Sequence, residues 1–179
     1  SLTISDATTS VTFGGAITSA GAVDIDSGGT IVLNQAIANA STVNIDSAGA
    51  TTVAAAGDIT ATDVVAFGAA KTGTLTTSGN ITTSNDNITL TRAVTLGGNV
   101  VLDSGANAGN ILFSSTVATG GNNLTLDAGD TGNITVGNLT GGGNLVVTDG
   151  AVQAYAVLTV ASLTISDATT SVTFGGAIT

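Results

Sequence analysis

The chain has 179 residues, 42% of them hydrophobic, 3% aromatic and 8% charged, with 25 Gly and no Pro, Cys, Met, Trp or His. All twelve acids are Asp, against Lys71 and Arg92 alone, which gives a net charge of -10. That balance argues against a nucleic-acid partner, whose phosphates need Lys and Arg; the lack of Cys excludes disulfides and zinc thiolates; and no apolar run approaches the ~20 residues of a membrane-spanning helix.

The apolar fraction is too high and too evenly spread for a disordered chain. Ser, Thr, Asn, Gly, Ala, Val, Ile and Leu dominate, a narrow alphabet that suits a regular scaffold. Residues 162–179, SLTISDATTSVTFGGAIT, repeat residues 1–18 letter for letter. Such self-similarity is the signature of a repeat architecture. The sequence reads as a window on a longer tandem array, with residues 1–161 one complete repeat and residues 162–179 the start of the next, and with the natural N-terminus elsewhere.

In chain order, short apolar alternations recur about every twenty residues, each followed by Gly, Asn, Asp or Ser turn chemistry. A first set is LTI at 2–4, VDI at 23–25, VNI at 43–45, VAF at 65–67, ITL at 88–90, VVL at 100–102, LTL at 124–126, LVV at 145–147 and LTI again at 163–165. A second set holds Val11 and Phe13, Ile31 and Leu33, Val53, Leu75, Val94 and Leu96, Ile111 and Phe113, and Ile134 and Val136. A third, mostly one residue deep, holds Ile17, Ile37, Ile59, Ile81, Val117, Leu139 and Val157.

Three short strands in about twenty residues describe one coil of a β-solenoid. Abundant Val, Ile and Thr favour strands, and the recurring Gly and Asn exclude helices longer than a turn. A β-sandwich is the structural rival, but its turns would not keep one period along the chain and then run into an identical copy. The predicted fold is therefore an all-β, right-handed parallel β-helix of about eight coils per 161-residue repeat. The region 87–122 fits least well. With VVL at 100–102 as a third strand, the next first strand falls on the weak segment 106–108, and the repeat closes on eight complete coils that return identical sequence to the same face.

Inward ranks would stack at the ~4.8 Å strand spacing, with Phe13, Phe67, Phe113 and Tyr155 as the bulkier plugs. Each coil buries its apolar faces only through its neighbours, so continuing the array covers the open edges.

The runs NITLTRAVTLGGNVVLDSG from Asn87 and GNNLTLDAGDTGNITVGNLTGGGNLVV from Gly121 resemble the repeats of filamentous-haemagglutinin-like adhesins and related giant β-strand-repeat bacterial surface proteins. The resemblance, one of style and composition, covers essentially the whole chain. It implies a right-handed parallel β-helix and a secreted, extracellular or cell-surface fibrous protein. The near-perfect duplication is more uniform than the drifting coils of an adhesin stalk and points toward a repetitive filament.

Candidate chemistry is sparse. Asp24 and Asp26 should lie one coil before Asn44 and Asp46, placing four oxygen-bearing side chains about 5 Å apart, a set of hard ligands that suits Ca²⁺. The bland reading, solvated strand and turn residues that keep a fibre soluble, outweighs it, since the strict spacing of calcium loops is missing. No cofactor is required. Asp103, Asp127, Asp130 and Asp149 form a looser acidic group with the same ambiguity.

Six N-x-S/T sequons, at Asn39, Asn80, Asn87, Asn123, Asn133 and Asn138, read first as Asn corner ladders that satisfy backbone groups, and second as glycan acceptors. A Thr rank able to order ice is set aside, because the outward pairs of the first strands mix Thr with Asp, Asn, Ala and Gly. Arg92 is expected to pair with Asp86 or Asp103 at the surface, worth ~0 to 1 kcal/mol.

An enzyme is not expected. There is no His, Cys or Glu to act as base or nucleophile, and no inserted loop to wall a pocket. The function expected is a structural extracellular filament, sheath or matrix component built from tandem solenoid repeats; the alternative is the stalk of a cell-surface adhesin whose binding domain lies elsewhere. Its expected partners are copies of itself, by tandem continuation or end-to-end stacking, with lateral fibre contacts or surface glycans as further candidates.

Overall fold

A computed structural model describes residues 1–68 and 73–179; Lys71 falls outside them. The described residues form short strands and no helix, wound into a parallel β-solenoid of about 8 turns with about 21 residues per turn. Three sheets run along the axis. The first has nine strands, beginning with Leu2–Ala7; the second has seven, beginning with Val11–Phe13; the third has eight, beginning with Ile17–Thr18 and ending on Ser162–Ile165. Every strand pair is parallel. That is the ladder a chain must form when it returns to each face once per turn.

The core consists of the inward ranks. On the first sheet one rank runs Leu2, Val23, Val43, Val65, Ile88, Ile111, Ile134, Gln153, Val172, each in register with the next. Beside it run Ile4, Ile25, Ile45, Phe67, Leu90, Phe113, Val136, Tyr155 and Phe174. Phe67, Phe113 and Tyr155 are buried plugs, and Phe13 packs partly buried against the same cluster. The Tyr155 and Phe174 rings stack, with centroids 5.5 Å apart. Gln153 is the polar exception in its rank, and it is satisfied: its amide donates to the Gly150 and Asp167 carbonyls at 3.2 and 2.8 Å and its carbonyl accepts from Tyr155 Oη at 2.9 Å.

The corners are closed from inside by hydroxyls. Ser27, Ser47, Thr77 and Ser104 are buried, and they donate to the carbonyls of Thr9, Gly49, Gly79 and Gly109 at 2.7 to 2.9 Å. A buried carbonyl without a partner would cost about 1–3 kcal/mol, so each hydroxyl lets the chain turn without stranding a backbone group.

The coil count of about eight stands, but the phase differs from the sequence reading. The strand Val100–Asp103 lies on the third sheet, as expected from its closeness to Leu96. The next strand of the first sheet is Ile111–Phe113, not the segment 106–108, which forms the corner. Gly105 enters that corner at φ 92°, and Asn107 hangs on Asn85 Oδ1. From Ile111 onward each apolar run therefore occupies the face before the one assigned to it. The strands Leu124–Asp127, Asn144–Asp149 and Ser162–Ile165 are all on the third sheet, and Leu158, rather than the exposed Val157, fills the core at the next second-sheet position.

Identical sequence consequently does not return to the same face. Leu2 pairs with Val23 on the first sheet, whereas Leu163, its copy, pairs with Leu145 on the third. Phe13 lies on the second sheet and its copy Phe174 on the first. From Leu2 to Leu163 the chain makes seven coils and two further sides, or 7⅔ turns in 161 residues. The eighteen repeated residues serve on all three faces in both copies, but each strand one face earlier in the second, because each side asks only for inward apolar residues and a turn.

Candidate functional site

The four residues read as calcium ligands do come together. Asp24 pairs in register with Asn44, and Asp26 with Asp46. Three of them are already held by protein groups, however: Asn44 Nδ2 donates to Asp24 Oδ1 at 2.9 Å, and Asp46 is buried against Arg92. Among the described residues no group of three or more acidic side chains is placed to share a metal ion.

Arg92 is the unforeseen member of this corner. It follows the strand Ile88–Leu90, two coils beyond Asp46, and is 4% exposed. Its Nη2 lies 3.0 Å from Asp46 Oδ1, and its Nη1 donates to Ser47 Oγ at 2.8 Å and Thr51 Oγ1 at 3.1 Å. Burial lowers the Arg92 pKa and the Asp46 charge partly restores it. This corrects the expected surface pair with Asp86 or Asp103. The side chain turns inward because Gly68, at φ 78° in the coil between, leaves its backbone without a Cβ and opens a slot, which a Cβ at that position would block against the guanidinium. Sequence spacing offered no sign of it, since 46 residues separate the partners.

The looser acidic group also resolves. Asp103, Asp127 and Asp149 stack in register along the third sheet. Asp103 and Asp127 each accept from the backbone N–H two residues on, Gly105 at 2.8 Å and Gly129 at 3.1 Å, which are Asx-type turns. Asp149 is the uncomfortable one: burial raises its pKa, and the carboxylates of Asp130 and Asp167 raise it further.

Asn corner ladders are present as read. Asn87 Oδ1 accepts from Asn110 N at 2.9 Å and Asn110 Oδ1 from Asn133 N at 2.8 Å; Asn99 Oδ1 does the same for Asn123 N at 2.9 Å, and Asn80 Oδ1 for Val101 N at 2.8 Å. Asn39 takes up positive φ, 58°.

The outer faces differ in chemistry. On the first sheet the outward rank mixes Thr3, Asp24, Asn44, Ala66, Thr89, Leu112, Thr135, Ala154 and Thr173. An open groove of about 450 Å³ crosses its later coils, lined by residues such as Leu112, Thr135, Ala154 and Gly137, and carries neither a carboxylate nor a cation. On the second sheet the outward rank is Thr12, Val32, Thr52, Thr76, Thr95, Ala118, Thr140. Thr159 and Thr179 extend it through the bridges at Leu158, their hydroxyls 3.2 Å apart. This near-regular Thr rank lies on the second strands, not on the first strands where the sequence reading set a Thr rank aside; its signal is the central Thr of VTF, TTV, LTT and VTL.

No helix of the described residues is long and apolar enough to cross a membrane. Comparison with protein-family models, with curated proteins and with solved structures finds no match for this chain.

Proposed function

We propose that the chain is a segment of a structural extracellular fibre, in which tandem 161-residue repeats continue one solenoid without a break. The observation that carries this reading is the seating of the second copy. Ser162–Ile165 and Ser171–Phe174 add to the preceding coil by in-register parallel pairing, with Leu163 and Ile165 packed against the same core cluster as Leu2 and Ile4.

A repeat joined to the next in this way is a spacer of fixed length. At 7⅔ turns and ~4.8 Å per turn it adds about 37 Å along the axis. Backbone ladders along that axis and packed inward ranks give stiffness, and each coil covers the open edge of its neighbour. The location outside the cell, the kinship with haemagglutinin-like surface repeats and the absence of an enzymatic role are parts of the same proposal. They are supported by the style of the repeats and by a composition poor in oxidisable side chains.

The test is contour length. Electron microscopy of chains with two, four and eight repeats should show thin rods that lengthen by about 37 Å per added repeat. Rods whose length does not scale, or a string of separate globules, would overturn the proposal. Surface labelling of the native organism with an antibody to the repeat tests the location.

A further inference from the structure

Charge is partitioned among the three outer faces, and among the described residues one face carries none. Asp24 stands in the outward rank of the first sheet, and Asp103, Asp127 and Asp149 in that of the third. On the second sheet the two outward ranks are the Thr rank above and, two residues earlier, immediately before each strand or bridge, Ser10, Thr30, Ala50, Thr74, Ala93, Thr116, Asn138, Val157 and Ala177. Neither rank contains an Asp, Lys or Arg, and apart from Val32, Val157 and Asn138 every side chain in them is Ser, Thr or Ala. Neighbours within a rank touch along the axis, as when Thr30 Oγ1 donates to Ser10 Oγ at 2.8 Å.

We infer that this second-sheet face is a lateral docking surface for a second copy of the chain. Three observations choose that occupant. A chain of net charge -10 can approach its own copy without opposing carboxylates only through a face that lacks them. The rows are flat and built from small side chains, so two such faces can close to sheet-packing distance, about 10 Å. Their repeat is set by the strand spacing, ~4.8 Å, and a copy of this chain matches that spacing by construction.

Area sets the strength. Nine coils, from Thr12 to Thr179, give a patch about 38 Å long and about 10 Å wide. That is roughly 400 Å² per partner, half of the ~800 Å² typical of a stable pair. One repeat therefore associates weakly, and arrays gain by avidity. The 7⅔-turn repeat adds a direction. In an array, successive uncharged patches turn by a third of a circle, so each fibre would dock neighbours on three sides and form bundles. This last step rests on the fibre reading.

The test is small-angle scattering and sedimentation of the 179-residue chain in about 1 M salt, where the Debye length is about 3 Å and general charge repulsion is screened. The expected result is a concentration-dependent dimer with doubled cross-section and unchanged length. Thr140→Asp and, separately, Thr95→Asp should weaken it by about tenfold or more, since each buries an unpaired carboxylate in the closed interface, a cost that salt does not screen. Thr135→Asp adds the same charge on the first sheet and should leave it unchanged; circular dichroism establishes that each variant keeps the fold. A monomer at all concentrations, a dimer of doubled length, or equal effects of Thr135→Asp and Thr140→Asp overturns the inference. So does a monomer whose Thr face instead halts ice growth or binds a crystalline polysaccharide. Long arrays seen as single unbundled rods would contradict the docking surface and leave the fibre standing.

Discussion

Arg92 and Asp46 form a buried ion pair at 3.0 Å that spans two coils and passes over Gly68 in the coil between them. Two charges so far from water persist because they pair with each other and Nη1 of the guanidinium also reaches Ser47 and Thr51, while its Nε stays buried without a partner among the described residues. Removing one member of such a pair leaves a buried charge without its counter-ion and typically costs about 3–5 kcal/mol. Arg92→Met should cost about 3 kcal/mol, read in urea unfolding and as faster hydrogen exchange around residues 43–53. The double change Arg92→Met with Asp46→Leu should recover most of the loss. A neutral Arg92→Met would show that the pair does not staple the coils.

Gly68→Ala should destabilise the chain through the Arg92 slot. Its φ of 78° disfavours any side chain, and the new Cβ would meet the Arg92 guanidinium. Strain of this kind costs about 1–3 kcal/mol before the steric term. In the Arg92→Met background the steric part should shrink, so the two changes will not add. Equal costs in both backgrounds would mean that Gly68 is needed for its backbone alone.

Tyr155 is the lone tyrosine in a chain without Trp, so its ionisation can be followed directly by absorbance. Burial raises its pKa above the ordinary phenol value. A raised folded pKa means that the associated stability is fully present below about pH 10, the unfolded value, and is lost as pH rises above it. The phenolate signal should therefore appear only with alkaline unfolding, and Tyr155→Phe should flatten the stability curve in that window. A simple titration near pH 10 with the fold intact would contradict the burial.

Asp149 predicts a pH dependence in the acid range. Its carboxyl is raised first by burial and then by Asp130 and Asp167. Its stabilising contribution is therefore complete below the usual carboxylate value and falls away as pH rises through the shifted one. At neutral pH Asp149→Asn should stabilise the coils around residues 130–167 and remove this dependence, measured by hydrogen exchange at several pH values. No change in exchange on substitution would show that the carboxylate is comfortable where it lies.

The fold was legible because side-chain alternation and corner residues are local. Val23 and Ile25 or Ile31 and Leu33 announce an inward-facing strand without reference to any other coil, and Asn87, Asn110 and Asn133 announce a corner. Phase was not local. The reading lost one side at residues 104–110, where a corner of seven residues looked like a corner plus a weak strand, and every later face shifted by one. The Arg92 slot was hidden for a related reason: it depends on how three successive coils align, and on a glycine conformation that has no sequence mark of its own. The Asp24, Asp26, Asn44 and Asp46 cluster was found by counting one coil, a step short enough for the count to hold.

The central claim is that consecutive repeats continue one solenoid, and helical reconstruction of a tandem array by cryo-electron microscopy tests it most directly. The account predicts strands across the fibre axis, a ~4.8 Å layer spacing, and repeats related by a rise of about 37 Å with a rotation of about 120°. Three repeats then restore the starting face after twenty-three coils, as the placement of Leu2 on the first sheet and Leu163 on the third requires. Strands parallel to the fibre axis, or repeats packed as separate globules, would contradict it.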